Sequence, residues 1–176
     1  MFKMFKDMLS TVNRKPERDF MVVSKYMKDA DGNVQDVIRL PNRGTKYSAG
    51  YDFYNNTGES IKIGARESSF PIPTGVKVYM KPDEVLEIYP RSSLGFKHDV
   101  RLSNTIGIID SDYFDNEKNE GEIFIKLFNP TRKIVNIGPG EAFAQGLFKN
   151  FLTSDTDATT VGGKRVGGIG STSEEK

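Results

Sequence analysis

Residues 104–113, Asn-Thr-Ile-Gly-Ile-Ile-Asp-Ser-Asp-Tyr, decide how the rest of the chain is interpreted. The β-branched run over 106–109 predicts a short strand whose apolar side chains pack inward. This strand ends at Asp110, which is followed by a second carboxylate and by the ring of Tyr113. By itself the pattern also fits a buried strand that leads into a solvated acidic turn, so the other motifs of the chain must decide between the two interpretations.

The composition narrows the classes of protein that the chain can represent. A length of 176 residues suits one domain, and a formal net charge of +1 gives no electrostatic reason to expect nucleic acid or an anionic membrane as a partner. The chain has no Cys, which excludes disulfides, thiolate metal sites and thiol nucleophiles and fits a reducing cytoplasm. No apolar run approaches the roughly 18 residues of a membrane span. We therefore expect a cytoplasmic protein that binds neither nucleic acid nor membrane.

The spacing of turn residues predicts an all-β fold. Short segments of β propensity alternate with Gly and Pro signals, which is the pattern of a jelly-roll-like barrel or sandwich, and no long helix or internal repeat is evident. We predict an N-terminal extension over 1–18, a β domain over 19–152 and a flexible, Gly-rich C-terminal arm over 153–176. The first strand, over 19–27, is expected to form a hairpin with residues 34–40. The other predicted strands are 51–54, 60–63, 76–80, 85–89, 100–102, 105–109, 122–128, 134–136 and 142–148.

Three further polar clusters are candidates for a ligand site. Residues 49–52, Ala-Gly-Tyr-Asp, introduce a carboxylate early in a strand. Residues 90–95, Pro-Arg-Ser-Ser-Leu-Gly, end a strand with a guanidinium and two hydroxyls on a tight turn, a donor set that suits phosphate. Gln145 offers one amide from a late strand. The alternative for residues 90–95 is an ordinary strand-end turn with an exposed Arg, and the alternative for Gln145 is a side chain that faces solvent.

The C-terminal segment is rich in glycine, with five Gly within 162–170. Glycine has the most backbone entropy to lose on ordering, so the segment is either a spacer or a flap that orders when an anion binds. Backbone N–H groups in such a segment can turn toward phosphate oxygens, and Lys164, Arg165, Ser171 and Thr172 add donors.

In their order along the chain, these motifs resemble the trimeric dUTPase family, the deoxyuridine triphosphate nucleotidohydrolases. The five matching segments are 49–54, 90–95, 104–113, 140–148 and 165–173. The resemblance implies a jelly-roll subunit in a homotrimer, with active sites that are each lined by all three chains and closed by a neighbour's C-terminal arm. The implied enzyme is a dUTP diphosphatase that hydrolyses dUTP to dUMP and pyrophosphate, which limits uracil incorporation into DNA and supplies dUMP for dTMP synthesis.

The resemblance also implies roles for individual residues in catalysis and in recognition of the nucleoside. Asp110 matches the carboxylate that activates or orients the water attacking the α-phosphorus. Tyr113 matches the ring that packs on the deoxyribose and leaves no room for a 2′-hydroxyl. Asn104 and the backbone of Gly107 and Ile109 match the groups that contact the uracil edge.

Phosphate and metal contacts are implied in the same way. The substrate-binding positions that match the phosphate site and the closing arm are Arg91, Ser92, Ser93, Gly95, Gln145, Arg165, Ile169, Gly170, Ser171 and Thr172. Mg²⁺ is the implied cofactor, and it would be held chiefly by the phosphates and by water, as suits an ion that keeps its hydration. Asp52 would reach this metal only through water, or would contact the motif arginine.

The chain departs from the family pattern at four places, one of which is Ala142 in the fourth motif, where an Arg is common. Ile169 occupies the position where the family usually has a Phe that stacks on uracil, and an Ile cannot offset-stack as a ring does. A Lys-Arg-Val sequence at 164–166 replaces the usual Arg-Gly-X, and we expect Arg165 to contact the outer phosphates. Residues 114–120 form an insertion, which is either an inert loop or a lid or surface for a protein partner.

Two alternatives to a dUTPase remain from the sequence alone. A dCTP deaminase, or a bifunctional deaminase and dUTPase, shares the subunit architecture and an Arg-Ser-Ser turn, but it needs a glutamate-centred acid–base site in place of the Asp-Ser-Asp-Tyr strand end. A non-enzymatic trimeric regulatory or structural module could also retain the motifs. We expect the protein in the bacterial cytoplasm, or in the cytoplasm of the host cell if a phage encodes it.

Overall fold

The computed structural model describes residues 16–27 and 37–157, and within these ranges the chain consists mostly of strands and loops. The strands are β1 (Asp19–Val22), β2 (Asn42–Arg43), β3 (Tyr51–Tyr54), β4 (Ile61–Ile63), β5 (Ile72–Pro73), β6 (Val76–Tyr79), β7 (Glu84–Pro90), β8 (Arg101–Leu102), β9 (Gly107–Asp110), β10 (Phe124–Ile125), β11 (Leu127–Phe128), β12 (Val135–Ile137) and β13 (Ala142–Asn150). The described helices are one short α-helix, α1 (Ser92–His98), and two 3-10 turns, Ser24–Tyr26 and Ser111–Tyr113. The all-β prediction is confirmed. In the described ranges, no helix has the length and apolar character needed to cross a bilayer.

The largest sheet has the strand order β2-β3-β13-β7-β9, and every pair in it is antiparallel. The last strand in sequence, β13, lies in the middle and pairs with β3 on one side and with β7 on the other. Strand β9 lies at an edge, with Gly107 opposite Ile88 and Asp110 opposite Val85. The central position of β13 therefore brings early, middle and late segments of the chain side by side.

Four two-stranded antiparallel pairs complete the fold: β1 with β6, β5 with β10, β8 with β11 and β4 with β12. Their buried side chains alternate as expected for strands with one face on a core. In β4, for example, Ile61 and Ile63 are buried on either side of the exposed Lys62. These pairs and the large sheet enclose one hydrophobic core, in which Phe53 and Phe143 are the largest side chains without solvent exposure.

The prediction of a hairpin between residues 19–27 and 34–40 is wrong as far as the described residues show, and residues 28–36 lie outside them. Strand β1 pairs instead with β6, and residues 37–40 form no strand. The physical reason is an aromatic cluster: the ring of Phe20 lies 5.3 Å from Tyr51, 5.7 Å from Phe53 and 5.4 Å from Phe148. Burial of these rings with distant partners outweighs the local turn signal.

Three smaller differences concern the motif regions. The predicted strand over 122–128 is divided into β10 and β11, which pair with different partners. The predicted tight turn at 92–95 is the first part of α1, which packs through Leu94 into the core. The apolar side chains of the key strand were expected to pack inward, but Ile106 is 38% and Ile108 is 55% exposed, and only Ile109 packs against the core. Side chains alternate between the two faces of a strand, so Ile108 lies on the face opposite to Ile109, and that face is exposed within this chain.

Two buried asparagines, Asn55 and Asn129, stabilise loops at opposite ends of the β4–β12 pair by the same arrangement. The Nδ2 atom of Asn129 donates to the carbonyl oxygens of residues 63, 64 and 133, at 3.1, 2.9 and 2.7 Å. Its Oδ1 atom accepts from the N–H and the hydroxyl of Thr131, at 3.0 and 2.8 Å. Asn55 makes the equivalent set with three carbonyls and with Thr57. Each side chain satisfies backbone groups that would otherwise be buried without partners.

We predict that Asn129→Ala destabilises the protein by about 2–4 kcal/mol, because several buried backbone groups lose their partner at once. Chemical denaturation followed by circular dichroism measures the change. Asn136→Ala is the matched control, since Asn136 is exposed on β12, and it should change the free energy of unfolding by less than about 0.5 kcal/mol. Equal effects of the two variants would contradict this role for Asn129.

Candidate active site

The centre of the large sheet brings three predicted site residues together. These predicted residues are Asp52, Arg91 and Gln145. Gln145 on β13 lies opposite Asp52 on β3 and opposite Tyr89 on β7, so Asp52, Gln145 and Tyr89 form one row across the strands. Arg91 directly follows β7, and its backbone N–H donates to the carbonyl of Phe143 at 3.2 Å. Segments that are distant in sequence thus meet at the end of β7.

Charged and polar contacts hold this row in place. The Nη2 atom of Arg91 lies 3.3 Å from Oδ2 of Asp52, so the predicted contact between the first-motif carboxylate and the motif arginine is present. Gln145 donates from Nε2 to the carbonyl of Pro90 at 3.3 Å. The guanidinium of Arg91 is 40% exposed, while Asp52 is 16% exposed. The carboxylate therefore holds a cation that still faces the solvent.

The row lines an open cavity of about 950 Å³. Ser92, Gly95, Phe96 and Asp99 contribute to the wall from α1 and its C-terminal end, and Ser48 contributes from the loop before β3. The cavity offers a guanidinium, hydroxyls and an amide on one wall, a donor set that suits a phosphorylated ligand. Ser93 lies half-buried in α1 and is not among the lining residues.

Gly50 makes room for the amide of Gln145. A Cβ atom at residue 50 would lie 2.6 Å from Oε1 of Gln145 and 3.4 Å from its Cβ atom. This glycine lies inside the first motif, but the sequence alone predicts no role for it. Tyr89 and Asp99 are further cavity residues that the sequence did not predict, and no sequence signal marked either of them.

The second group of predicted site residues lies at the edge strand. Asp110 ends β9 opposite Val85, and Tyr113 follows in the next 3-10 turn with 7% of its surface exposed. Asn104 is exposed in the turn before β9, next to Thr105. Thr105 has φ of 69°, a left-handed conformation that a β-branched residue rarely adopts. Strained backbone of this kind persists where the surrounding structure requires it, and it is concentrated at ligand sites.

These two groups are far apart within one chain. Asp110 lies beside the first part of β7, whereas Arg91 follows its last residue. Arg91 is six positions after Val85 in the sequence, which corresponds to about 20 Å along an extended strand. None of Asn104, Gly107, Ile109, Asp110 and Tyr113 lines the cavity at Arg91. The predicted arm residues Arg165, Ile169, Gly170, Ser171 and Thr172 lie outside the described residues.

Two charged residues lie behind the cavity wall. Lys149 forms an ion pair with Glu87 at 2.6 Å and donates to the hydroxyl of Tyr89 at 3.3 Å. Hydrogen bonds from Lys149 and from Tyr89 hold the pKa of the Glu87 carboxyl below its usual value. These contacts orient the Tyr89 ring at the cavity wall.

A comparison with protein families identifies the chain. The dUTPase family model matches residues 36–172, which include the first four motifs and all but the last residue of the fifth. The chain belongs to the dUTPase family. It is 42% identical over 155 residues to a deoxyuridine 5'-triphosphate nucleotidohydrolase of Lactococcus lactis subsp. lactis, with 88% of this chain and 97% of that one covered. The enzyme of the same name from Legionella pneumophila (strain Paris) is 31% identical over 149 residues, with 82% and 93% covered.

Solved structures agree with this dUTPase assignment. The dUTPase of Streptococcus mutans superposes with a TM-score of 0.65 at 38% identity and covers 77% of this chain and 98% of its own. A Staphylococcus bacteriophage 80alpha dUTPase gives a TM-score of 0.59 at 19% identity, with 78% and 92% covered, and this match supports the fold alone. The jelly-roll-type fold predicted from the sequence is thereby confirmed. Nothing in the comparisons supports the deaminase or the non-enzymatic module.

We predict that Gly50→Ala displaces the side chain of Gln145 and leaves the rest of the dUTPase fold intact. The added Cβ atom conflicts with the end of a flexible side chain, which can move, so the thermal unfolding temperature should change by less than about 4 °C. The chemical shifts of the Gln145 side-chain amide in NMR spectra measure the displacement. Gly44→Ala is the control, because its Cβ atom would meet only the hydroxyl of Ser48 at 4.0 Å. Unchanged Gln145 signals in Gly50→Ala would contradict the prediction.

Proposed function

We propose that this dUTPase hydrolyses dUTP to dUMP and pyrophosphate, and so limits uracil incorporation into DNA and supplies dUMP for dTMP synthesis. Membership of the dUTPase family and the enzyme name shared by its relatives support this reaction. The structural observation that carries the proposal is the meeting of Asp52, Arg91 and Gln145 at one cavity. Three of the five motifs supply these residues, and their donors suit the phosphates of a nucleotide.

In the proposed mechanism, the cavity wall binds the phosphates. The planar guanidinium of Arg91 donates to phosphate oxygens, and the Asp52 contact limits its rotation, so less side-chain entropy is lost on binding. The hydroxyl of Ser92, the amide of Gln145 and the backbone at Gly95 supply further contacts. Ser93 does not line the cavity within one chain, and its contact with a phosphate stays a prediction. We propose that the arm residues Arg165, Ile169, Gly170, Ser171 and Thr172 close over the outer phosphates and the base.

Asp110 is the proposed catalytic residue. Its carboxylate accepts a hydrogen bond from the attacking water and takes the proton as the new bond to the α-phosphorus forms. Pyrophosphate then leaves from the opposite side of that phosphorus. A fixed carboxylate at the end of a paired strand suits this role, because the water must be held in line with the bond that breaks.

The edge strand is the proposed recognition element for the nucleoside. Gly107 and Ile109 are two residues apart on β9, so their backbone groups face the same side of the strand. Together with Asn104, these groups would pair with uracil, and cytosine would leave buried polar groups without partners. The ring of Tyr113 would pack on the deoxyribose and exclude a 2′-hydroxyl.

We further propose that the complete site is shared between the chains of a homotrimer. The Asp110 end of β9 and the Arg91 end of β7 are separated by about 20 Å along the strand, which exceeds the distance from the water to the phosphates of one nucleotide. A second chain must therefore supply one of the two groups. The exposed Ile108 on the edge strand and Ile106 just before it are candidates for burial against such a neighbour.

Mg²⁺ is the proposed cofactor. A dUTPase mutant from phage phi11 of S. aureus, 18% identical to this chain, coordinates a structural Mg(II) ion. The donors here fit a magnesium ion that is held mainly by phosphates and water, since Asp52 places one carboxylate beside the proposed phosphate site. In the described ranges, no group of three or more His, Cys, Asp or Glu residues could hold a metal ion. When bound, the ion would neutralise charge that develops on the leaving pyrophosphate.

The proposed location is the cytoplasm, where a dUTPase meets its nucleotide pool. A protein partner at the insertion over 114–120 stays a prediction. Two acidic residues of this insertion, Asp115 and Glu120, form ion pairs with Lys77 of the same chain. They are therefore less available to an outside partner than the exposed Lys118.

Product analysis with dUTP, dTTP, UTP and dCTP tests the reaction, with Asp110→Asn as the diagnostic variant. We expect the wild-type protein with Mg²⁺ to cleave dUTP alone. For Asp110→Asn, we expect the dissociation constant of a non-hydrolysable dUTP analogue to stay within about threefold of wild type while turnover falls at least about 100-fold. Release of ammonia from dCTP, or no cleavage of any of the four, would overturn the proposed function. Retained turnover in Asp110→Asn would remove this residue from the mechanism.

Mixed trimers test whether the site is shared. Arg91→Ala and Asp110→Asn should each be inactive as homotrimers, but isolated trimers that contain both kinds of subunit should recover about a third of wild-type activity, because one of the three sites in each mixed trimer joins an intact Arg91 with an intact Asp110. Co-expression with two affinity tags isolates the mixed species. Activity no higher than that of the homotrimers would show that both residues act from the same chain.

A further inference from the structure

The insertion over 114–120 folds back against Tyr113. The carbonyl of Glu120 accepts from the N–H of Asp115 at 3.1 Å, and the N–H of Glu120 donates to the carbonyl of Asn116 at 3.0 Å. Gly121, with φ of 81°, closes the loop so tightly that a Cβ atom there would lie 2.6 Å from the carbonyl oxygen of Tyr113. This loop is a compact structure built on the proposed sugar-contacting residue.

The side-chain hydroxyl and the backbone carbonyl of Tyr113 both form hydrogen bonds with this loop, and the hydroxyl also contacts Glu122, two residues after it. The hydroxyl of Tyr113 donates to the carbonyl of Glu122 at 2.8 Å and accepts from Nδ2 of Asn119 at 2.7 Å. The backbone carbonyl of Tyr113 accepts from Nδ2 of Asn116 at 2.8 Å. Since only 7% of Tyr113 is exposed, its ring has little freedom to move.

The amide of Asn119 is itself fixed in orientation. Its Oδ1 atom accepts from Nδ2 of Asn116 at 2.8 Å and from the N–H of Gly121 at 3.1 Å. An amide rotated by half a turn would put its NH₂ group against these two donors, so Nδ2 must face Tyr113. The contacts of Oδ1 with the loop therefore fix the orientation of the Asn119 amide and keep its NH₂ group directed at the Tyr113 hydroxyl.

Charged contacts anchor the loop on its other side. Lys77, which is 13% exposed, pairs with Asp115 and lies 3.2 Å from Glu120. Ser24 also bonds to Glu120, through its N–H at 3.2 Å and through its hydroxyl. The acceptor residue Glu122 is fully buried, and Lys25 pairs with its carboxylate at 2.6 Å. A loop held at this many points does not act as a lid.

We propose that Asn119 is a positioning residue for Tyr113 and thereby sets how strongly the enzyme rejects ribonucleotides, an inference that rests on the proposed contact of Tyr113 with deoxyribose. A side chain can exclude a 2′-hydroxyl sterically only if it does not yield when the larger sugar enters. Burial limits the motion of the Tyr113 ring, and two hydrogen bonds on its hydroxyl add resistance to the tilt that a larger sugar would require. The insertion supplies one of the two.

The ratio of kcat/KM for dUTP to kcat/KM for UTP, measured on the full-length protein, tests this role. We expect Asn119→Ala to lower the ratio about three- to tenfold, through a rise in kcat/KM for UTP while kcat for dUTP stays within about twofold. Lys118→Ala is the matched control in the same loop, since its exposed side chain has no described contact, and it should leave the ratio unchanged.

Two further variants keep the test valid if Asn119→Ala folds poorly. Asn119→Asp retains the Oδ1 acceptor for Asn116 and Gly121 but loses the donor to Tyr113, so it should lower the ratio with a smaller loss of thermal stability. Tyr113→Phe removes the hydroxyl and should lower the ratio by a similar factor. The double variant Asn119→Ala/Tyr113→Phe should be no less selective than Tyr113→Phe, because both changes remove the same interaction.

Tyr113→Ala separates the inference from the proposed function. If its ratio equals that of wild type, Tyr113 does not select the sugar and the proposed function is wrong on this point. If Tyr113→Ala loses selectivity while Asn119→Ala and Asn119→Asp keep it, the proposed function stands and the positioning role of Asn119 is overturned. Additive losses in the double variant would also overturn it.

Discussion

The pairing of β13 with both β3 and β7 is the constraint on which the rest of the structure depends. This nine-residue strand comes last among the described strands, yet it lies at the centre of the sheet. Gln145 can contact the carbonyl of Pro90, and Asp52 can contact Arg91, only because β13 fixes the register of both neighbours. Glycines at 50 and 146 permit the close approach that this packing needs. The cavity is thus a product of long-range strand order and not of any local motif.

The same sheet also explains the division of the predicted site. Strand β7 spans seven residues, with Asp110 of β9 opposite Val85 near its start and Arg91 directly after its last residue. A short strand would have brought Asp110 and Arg91 together, and a single chain could then have completed the site. Here the geometry separates the phosphate-binding wall from the carboxylate and the tyrosine. In the proposed mechanism, assembly of several chains is therefore needed to complete the site.

Much of this dUTPase could be predicted from its sequence, but the reasons differ from element to element. The all-β class follows from turn spacing, and the motif order sufficed to indicate the family, because Asp110, Arg91 and the glycine-rich end occur in a sequence that chance would rarely produce. The partner of β1 could not be predicted, since Phe20 packs on rings that are 31 or more residues away. Alternation separates Ile106 and Ile108 from Ile109, but which of the two faces meets the core depends on the packing of the sheet, which periodicity cannot reveal. The hydrogen bond from Asn119 to the Tyr113 hydroxyl, on which its proposed role rests, became evident only from the folded loop.

The separation of the two site halves along β7 has a consequence for how activity responds to protein supply. If no single chain holds a complete site, dilution below the subunit dissociation constant removes complete sites faster than it removes folded chains. Weak expression would then cost a cell more catalytic capacity than its loss of polypeptide suggests. For the same reason, an impaired gene copy would interfere with an intact one, since each defective subunit enters sites that belong partly to its neighbours.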